Sequence, residues 1–361
     1  MVFACSRRSS CFGNSFRNAA IAAVVALAGT TVLAHAQTKL WSPQVASNGA
    51  VNIVKYNATS SAQTLGMETV VGVALPGPGF FISGMEFTPD GRLWTLMQGT
   101  PGSLMQGLYT INFVTGAATQ VGSPLGLAAN EILTDLTWNP RTHRMSAMAT
   151  ASSGGLTSRI VDLDINTGAI TNARTVSSTV NVLHVAMTAD PDGAYYFVDI
   201  FNNWMSQLED GDATWLGSLF GFNANLNCGL GTEFQGSNAG RIWMTAYNQN
   251  LTFPNQSRSR LYEVNPVDGQ PSLGVTLPGG TSTIYSDVTA QPIVSGCPAD
   301  FTLNAEVADE DFVIFAGQYE ALDCASPAMT GGCSADLNFD GFVDDSDFVA
   351  FATAYNALVC P

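Results

Sequence analysis

Between residues 37 and 296, short apolar runs alternate with turns rich in Gly, Thr, Ser and Asn, and long stretches with a helical period are almost absent. Short apolar runs bounded by turn residues are typical of strands rather than helices. We therefore expect a mainly β domain over residues 37–295.

A unit of roughly fifty residues recurs weakly within this region. Its first piece is an apolar strand that leads into a turn, found at 84–91, 135–140, 184–193, 231–234 and 287–289. Its second piece is a hairpin with Gly at the turn, found at 108–116, 160–168 and 261–269. Units of this length, each with about four short strands, are typical of β-propeller blades. The repeats predict a β-propeller of five to seven blades in which residues 40–79 close the ring, with a β-sandwich as the alternative.

The last 65 residues are organised as two copies of one shorter unit. Residues 297–324 align with residues 333–360 without a gap, and 14 of the 28 positions are identical. Each copy begins and ends with Cys, so the simplest pairing joins Cys297 to Cys324 and Cys333 to Cys360. Closing a loop of this size stabilises by roughly 3–4 kcal/mol in the chain-entropy model. Units this short need such a cross-link because they bury little apolar surface.

The second copy carries a twelve-residue pattern of oxygen donors over residues 336–347. Side-chain oxygens fall at positions 1, 3, 5, 9 and 12, Gly341 lies at the sharp turn of position 6, and position 7 offers a backbone carbonyl. The predicted calcium ligands are Asp336, Asn338, Asp340, Phe342, Asp344 and Asp347. The aromatic residues that follow have helical spacing, so the pattern predicts a calcium loop followed by a helix.

The first copy keeps only part of this pattern. Asp300, Asn304 and Asp311 retain positions 1, 5 and 12, whereas Ala305 replaces the Gly of position 6. Gly at that position permits the left-handed turn that directs the ligands inward. Residues 300–311 are therefore predicted to be a weak second calcium loop.

A duplicated loop-and-helix unit of this kind resembles the dockerin family over residues 297–361. The Cys residues that frame each copy make it most similar to the cysteine-flanked, GC-type dockerins found at the C termini of exported bacterial proteins. The resemblance implies a small α-helical module that folds with calcium. It also implies that this module attaches the preceding domain to a cohesin-like or cell-envelope partner.

The first 36 residues have the pattern of a signal peptide. Arg7, Arg8 and Arg17 form a positive start, residues 19–33 are uncharged and mostly apolar, and residues 34–36 fit the small-x-small cleavage pattern. We expect cleavage before Gln37, with no transmembrane span afterwards; an uncleaved anchor is the alternative. The protein is accordingly expected to be secreted and associated with the cell surface, where disulfides can form.

The acidic charge of the chain, concentrated in the tail, bears on the kind of partner it can bind. The formal net charge is −16, and the tail from residue 297 to residue 361 contains twelve Asp or Glu and no Lys, Arg or His. Such a surface repels phosphate backbones, which argues against nucleic acid as a partner.

Chemistry within the β domain is sparse. The residues that recur near the start of the first repeated piece form a candidate polar cluster on the propeller axis, namely Glu86, Asp135, His184, Glu233 and Asp287. They either form a binding or catalytic cluster or simply hydrogen-bond the neighbouring blades. No spacing among the acids selects a catalytic pair for glycoside hydrolysis.

The expected function is a non-catalytic propeller, with a carbohydrate or protein as its ligand, held at the surface by the calcium-binding tail. One alternative is an exported hydrolase or lyase that degrades polysaccharide and is carried by a dockerin. Another is a purely structural component of a surface layer.

Overall fold

A computed structural model describes 16 stretches of the chain. They are residues 38–46, 48–58, 67–99, 106–124, 126–128, 130–151, 158–176, 181–208, 214–219, 228–235, 238–248, 257–272, 274–292, 298–302, 307–329 and 333–357. The predicted signal peptide lies outside them. Within them, no helix has both the length and the apolar character needed to cross a membrane.

The described strands form five antiparallel sheets. Blade 1 contains β1 (Thr38–Val45), β2 (Val51–Ala58), β3 (Met67–Gly72), β20 (Ile284–Tyr285) and β21 (Thr289–Ala290). Blade 2 contains β4 (Phe81–Phe87), β5 (Leu93–Gln98), β6 (Gln106–Ile111) and β7 (Ala118–Gly122). Blade 3 contains β8 (Glu131–Asn139), β9 (Arg144–Ala151), β10 (Ser158–Leu163) and β11 (Ile170–Thr175).

Two further blades complete the ring. Blade 4 contains β12 (His184–Ala189), β13 (Tyr195–Asp199), β14 (Trp204–Leu208) and β15 (Thr214–Ser218). Blade 5 contains β16 (Cys228–Thr232), β17 (Ile242–Asn248), β18 (Arg258–Val264) and β19 (Val275–Thr276). The fold is therefore a five-bladed β-propeller, which confirms the predicted fold class and excludes the β-sandwich.

Blade 1 closes the ring because it combines strands from both ends of the domain. Strands β20 and β21 pair antiparallel with β1, next to β2 and β3. Each blade buries its apolar faces only against its neighbours. The mixed blade 1 therefore lies between blade 5 and blade 2 and covers the apolar faces of both. Residues 40–79 thus supply the closing strands, as the repeats predicted.

The second repeated piece forms the turn between the third and fourth strands of a blade. In blade 2, the side chain of Asn112 accepts hydrogen bonds from the amides of Val114 and Thr115, at 2.9 and 3.0 Å. Gly116 then adopts a φ of +71°, a conformation that favours glycine. The turn thus requires a side-chain acceptor at its start and a residue with positive φ at its end. For this reason Asn or Asp recurs four residues before Gly in this piece.

The tail forms two helices, α1 (Asp309–Ala321) and α2 (Asp345–Ala357). Phe315 of α1 stacks on Phe351 of α2 with ring centroids 4.9 Å apart. The hydroxyl of Tyr319 donates to Asp345 at 2.6 Å, and the equivalent hydroxyl of Tyr355 donates to Asp309. Since these two bonds join equivalent positions of the two copies, the helix pair has an approximate twofold relation.

The disulfide prediction is wrong for the two Cys residues that are described. Cys324 is bonded to Cys333, with Cα atoms 5.4 Å apart, and not to the other end of its own copy. The amide of Cys324 donates to Gly341 at 3.0 Å, and the amide of Ala335 donates to the side chain of Gln318 at 2.7 Å. These bonds bring the end of the first copy beside the start of the second, so the disulfide links the copies. Cys297 and Cys360 lie outside the described residues.

Candidate functional site

The axis of the propeller brings together two carboxyl groups from blades that are not adjacent. Asp287 accepts the amide of Val288 at 2.7 Å and the amide of Met85, on blade 2, at 2.5 Å. Asp135 of blade 3 accepts the amide of Leu136 at 2.8 Å and that of Met187, on blade 4, at 2.8 Å. Each carboxyl group therefore joins its own blade to the next one.

The same two side chains also hydrogen-bond each other. Both residues are buried, since Asp135 is 1% exposed and Asp287 is 0% exposed. Burial raises the pKa of each carboxyl well above its ordinary value, and for Asp287 the nearby charge of Asp135 raises it further. Two carboxylates this close in a buried site cannot both ionise easily, so the pair retains a proton.

Glu86 adds a third buried carboxyl group near the axis. It accepts the amide of Phe87 at 2.8 Å, the hydroxyl of Thr137 on blade 3 at 3.2 Å, and the hydroxyl of Thr289 on blade 1. Burial raises the pKa of Glu86 to about 7, although these donors oppose the shift. Glu86 therefore connects three blades.

The other two members of the predicted cluster contact residues outside it, and the backbone amide of His184 donates to Ser158 of blade 3 at 3.1 Å. Glu233 accepts the indole N–H of Trp243 at 2.8 Å. The ring of His184 packs against Phe197 with centroids 5.1 Å apart. Burial lowers the pKa of His184 to about 4, although the charge of Asp199 opposes the shift. Of the five predicted residues, Glu86, Asp135 and Asp287 interact with one another, whereas the contacts described above for Glu233 and His184 are with other residues.

This axial cluster is built for stability rather than for access to a ligand. Its three carboxyl groups are at most 1% exposed, and their oxygens accept backbone amides and threonine hydroxyls from neighbouring blades. Buried carboxyl groups are tolerated when hydrogen bonds replace their lost solvent. The geometry therefore favours the interpretation that these groups hydrogen-bond neighbouring blades.

The predicted calcium loop in the tail is a closed turn in front of helix α2. Asp336 accepts the amide of Gly341 at 2.9 Å, and Gly341 has a φ of +90°. Asp347 accepts the amides of Leu337 and Asp344, at 2.7 and 2.9 Å. The first and last residues of the loop thus hold it together, and both are buried.

The donor set of this loop fits a hard cation. Burial raises the pKa of Asp340 and of Asp347, and the charge of Asp336 raises both further. An oxygen-binding divalent cation would relieve this repulsion, and Ca²⁺ prefers six to eight oxygen ligands of this type. The predicted ligands extend from the loop into the first turn of helix α2, namely Asp336, Asn338, Asp340, Phe342, Asp344 and Asp347. Bound there, calcium would supply positive charge that fixes the shape of the loop.

The first loop keeps the closing bonds but has fewer oxygen donors. Asp311 accepts the amides of Thr302 and Ala308, both at 2.9 Å, as Asp347 does in the second loop. Burial alone would raise the pKa of Asp311, but these amide donors outweigh it and the pKa is lowered. Asp300 is 8% exposed and accepts the hydroxyl of Thr302 at 3.4 Å, and Asn304 lies outside the described residues.

A second group of metal-binding residue types lies beside the calcium loop. Ligand atoms of His143, Cys324, Cys333 and Asp336 all lie within 4.8 Å of one another, and all four residues are buried. Because Cys324 and Cys333 are bonded to each other, they offer no thiolate to a metal. His143 belongs to the propeller, so this group marks a contact between propeller and tail.

That contact lines a cavity of about 500 Å³ between blade 3 and the tail. Its walls include Arg144, Asp164 and Asn166 from the propeller, and Phe339 and Asp340 from the calcium loop. Sequence reasoning missed the role of blade 3 here, because His143 and Arg144 belong to no repeated motif. It also missed Thr137 and Thr289, although Asp-x-Thr recurs at both positions and could have indicated them.

Comparisons with known proteins add the following. No protein-family model matches the chain, and no match was found among curated proteins. A protein of unknown function from Bacteroides caccae is 11% identical with a TM-score of 0.41, covering 71% of this chain and 99% of that one. An α-L-arabinofuranosidase from Clostridium thermocellum is 12% identical with a TM-score of 0.41, covering 66% and 95%. Virginiamycin B lyase from Staphylococcus aureus is 14% identical with a TM-score of 0.34, covering 66% and 69%.

Proposed function

We propose that this chain is an exported, surface-associated protein in which a non-catalytic propeller displays a binding face. In this proposal, the dockerin-like tail binds one calcium ion and docks the propeller to a cohesin-like or cell-envelope partner. The observation that carries it is the second loop, where Gly341 has a positive φ and the six predicted oxygen ligands run into the first turn of helix α2.

Exposed apolar side chains at equivalent positions of the two helices support a docking role. Phe312 and Val313 on α1 are 45% and 71% exposed, and the equivalent Phe348 and Val349 on α2 are 46% and 65% exposed. Large exposed apolar patches are typical of protein interaction sites. A binding partner would cover them and gain the free energy of that burial.

The alternative of a polysaccharide-degrading hydrolase or lyase has less support. The carboxyl groups that meet near the axis are buried and bound to backbone amides and hydroxyls, so they do not line an open cleft. Glycoside hydrolysis needs a pair of carboxyl groups that flank an accessible sugar. We therefore favour the binding function over the catalytic one.

Calcium titration of the purified full chain tests the first half of this proposal. Isothermal titration calorimetry should give one site per chain, because only the second loop has the full donor set. Asp340→Asn removes a charged ligand from that loop and should weaken binding by at least about tenfold. Asp300→Asn, in the first loop, is the matched control and should leave the affinity unchanged. Equal affinity in Asp340→Asn and wild type would refute the assignment of the loop.

A capture experiment tests the second half. The immobilised full chain should retain a cell-envelope protein in calcium and release it in EDTA. A double variant, Val313→Asp with Val349→Asp, places charge on the exposed apolar face and should abolish capture while calcium binding persists. If EDTA and the double variant both leave the amount of captured protein unchanged, docking through the tail is contradicted.

A further inference from the structure

The calcium loop faces the propeller as well as solvent. Among the described residues that contact it are Trp138 near the end of β8, His143 in the turn that follows, and Arg144 at the start of β9, and we call these three the blade 3 patch. From the loop, Phe339 and Phe342 meet this patch. The loop expected to bind calcium is therefore also the element that joins the tail to blade 3.

Phe339, at position 4 of the loop, makes the apolar part of the contact. Its ring lies edge-on to Trp138 with centroids 5.9 Å apart, and 5.9 Å from the ring of His143. Trp138 is fully buried, so Phe339 extends the core of blade 3. Phe339 and His143 have φ values of +61° and +49°, which are uncommon for residues other than glycine. Such backbone conformations persist only where surrounding contacts hold them.

Arg144 makes the charged part of the contact. Its guanidinium donates to Asp323 of the tail at 3.1 Å and lies 5.8 Å from the centre of the Phe342 ring. On its own blade it lies 4.0 Å from Asp162. Because the tail has twelve acidic residues and no basic ones, this propeller cation complements its charge.

Asp336 connects the contact to the expected ion. As position 1 of the loop, it accepts the amide of Gly341 at 2.9 Å, and the same carboxyl oxygen lies 3.3 Å from Nδ1 of His143. The carbonyl of Phe342 is expected to bind calcium while its ring covers Arg144. Two of the predicted ligands thus belong to residues that also contact the propeller.

We propose that calcium binding by the second loop and docking of the tail on blade 3 are one coupled equilibrium. This inference rests on the proposed calcium site and specifies how that site is regulated. With calcium bound, the loop is held in the shape that presents Phe339 and Phe342 to the blade 3 patch. Without calcium, the repulsion between Asp336, Asp340 and Asp347 opens the loop and loosens the contact.

Coupling of this kind is reciprocal. If calcium strengthens docking by some factor, docking strengthens calcium binding by the same factor. The propeller therefore raises the calcium affinity of the tail, although it contributes no predicted ligand. Residues of the blade 3 patch should consequently affect calcium binding from outside the site.

The test uses the full chain and two variants that keep every predicted ligand. Arg144→Ala removes the propeller cation, and Phe342→Ala removes the ring but keeps the backbone carbonyl. Each should lower calcium affinity roughly three- to thirtyfold in calorimetric titration. The matched control is Arg141→Ala, in the same turn, because Arg141 is exposed and its guanidinium contacts the carbonyl of Asp192 at 3.5 Å. This control should stay within about twofold of wild type.

Hydrogen–deuterium exchange gives a second readout. In the wild type, EDTA should accelerate exchange in the propeller segment 139–144 as well as in the loop 336–347. Arg144→Ala should show faster exchange in the loop even with calcium present. Unchanged affinity in both Arg144→Ala and Phe342→Ala, or an EDTA effect confined to the tail, would overturn the coupling. A wild type that binds no calcium would instead overturn the proposed calcium site, and the coupling with it.

Discussion

Glu86 should make the propeller less stable as the pH rises from acidic to slightly alkaline values. Its carboxyl is fully buried, and burial raises its pKa to about 7 from an ordinary value of 4.5. A raised pKa in the folded state means that the folded protein holds a proton that the unfolded chain has released. The stabilisation is therefore complete below the unfolded pKa of 4.5 and is lost as the pH rises through about 7.

The size of this effect follows from the shift in pKa. Each pKa unit corresponds to about 1.4 kcal/mol, so the difference between the two states is worth about 3 kcal/mol between pH 4.5 and pH 8. In Glu86→Gln the side chain does not ionise, so this contribution to the pH dependence disappears. The amide can still accept the bond from Phe87, and the hydroxyls of Thr137 and Thr289 can rotate to accept bonds as well as donate them.

Urea unfolding of the wild type and of Glu86→Gln, at about pH 4.5 and about pH 8 with EDTA present throughout, measures this loss of stability. The wild type should lose about 3 kcal/mol more than Glu86→Gln between the acidic and the alkaline condition. Asp135 and Asp287 titrate in both proteins, but the charge of Glu86 raises the pKa of Asp135. The difference between the two proteins therefore reports Glu86 together with its effect on Asp135. Glu68→Gln, on the outer strand β3, controls for the loss of one carboxylate. An equal pH dependence in wild type and Glu86→Gln would refute the reasoning.

Three further predictions concern other parts of the molecule. Gly84→Ala should destabilise by several kcal/mol in thermal or urea unfolding, because its Cβ would lie 2.7 Å from the backbone nitrogen of Leu136. Gly280→Ala is the control and should be near neutral, because no atom lies within 4 Å of its new Cβ. Peptide mapping under non-reducing conditions should recover Cys324 joined to Cys333, and recovery of Cys324 joined to Cys297 would contradict the structure. Calcium at about 100 times its dissociation constant should stabilise the tail by about 2.7 kcal/mol, measured as a rise in its melting temperature. At the same calcium concentration, the roughly tenfold weaker binding expected of Asp340→Asn should reduce this stabilisation to about 1.4 kcal/mol or less.

Much of the propeller could be predicted from local sequence, because each blade repeats the same local requirements. The turn from Asn112 to Gly116 needs a side-chain acceptor at its start and a left-handed residue at its end, and both recur in other blades. The number of blades could not be predicted this way. It depends on how many blades lie in sequence between β1 and β21 before these two strands pair, and this pairing joins the two ends of the domain.

Pairings between distant residues were the hardest to predict. Two copies that each begin and end with Cys suggest closure within a copy, but the packing of the copies decides which sulfurs meet. Likewise, the alignment of repeats placed His184 with Asp135 and Asp287, whereas its ring packs against Phe197 of its own blade. Equivalent positions in a repeat share a backbone environment, but their side chains can take different directions.

The narrow axis also explains where a ligand of the propeller should be sought. With five blades, the inner strands approach so closely that a Cβ on Gly84 or Gly229 would meet the backbone of a neighbouring blade at Asp135 or Asp287. Buried carboxyl groups at the axis also link blades to one another. If the propeller binds a ligand, as proposed above, the turns and loops at the faces of the ring are the expected place. Variants in those exposed turns can then change ligand binding without disturbing the axial hydrogen bonds that hold the blades together.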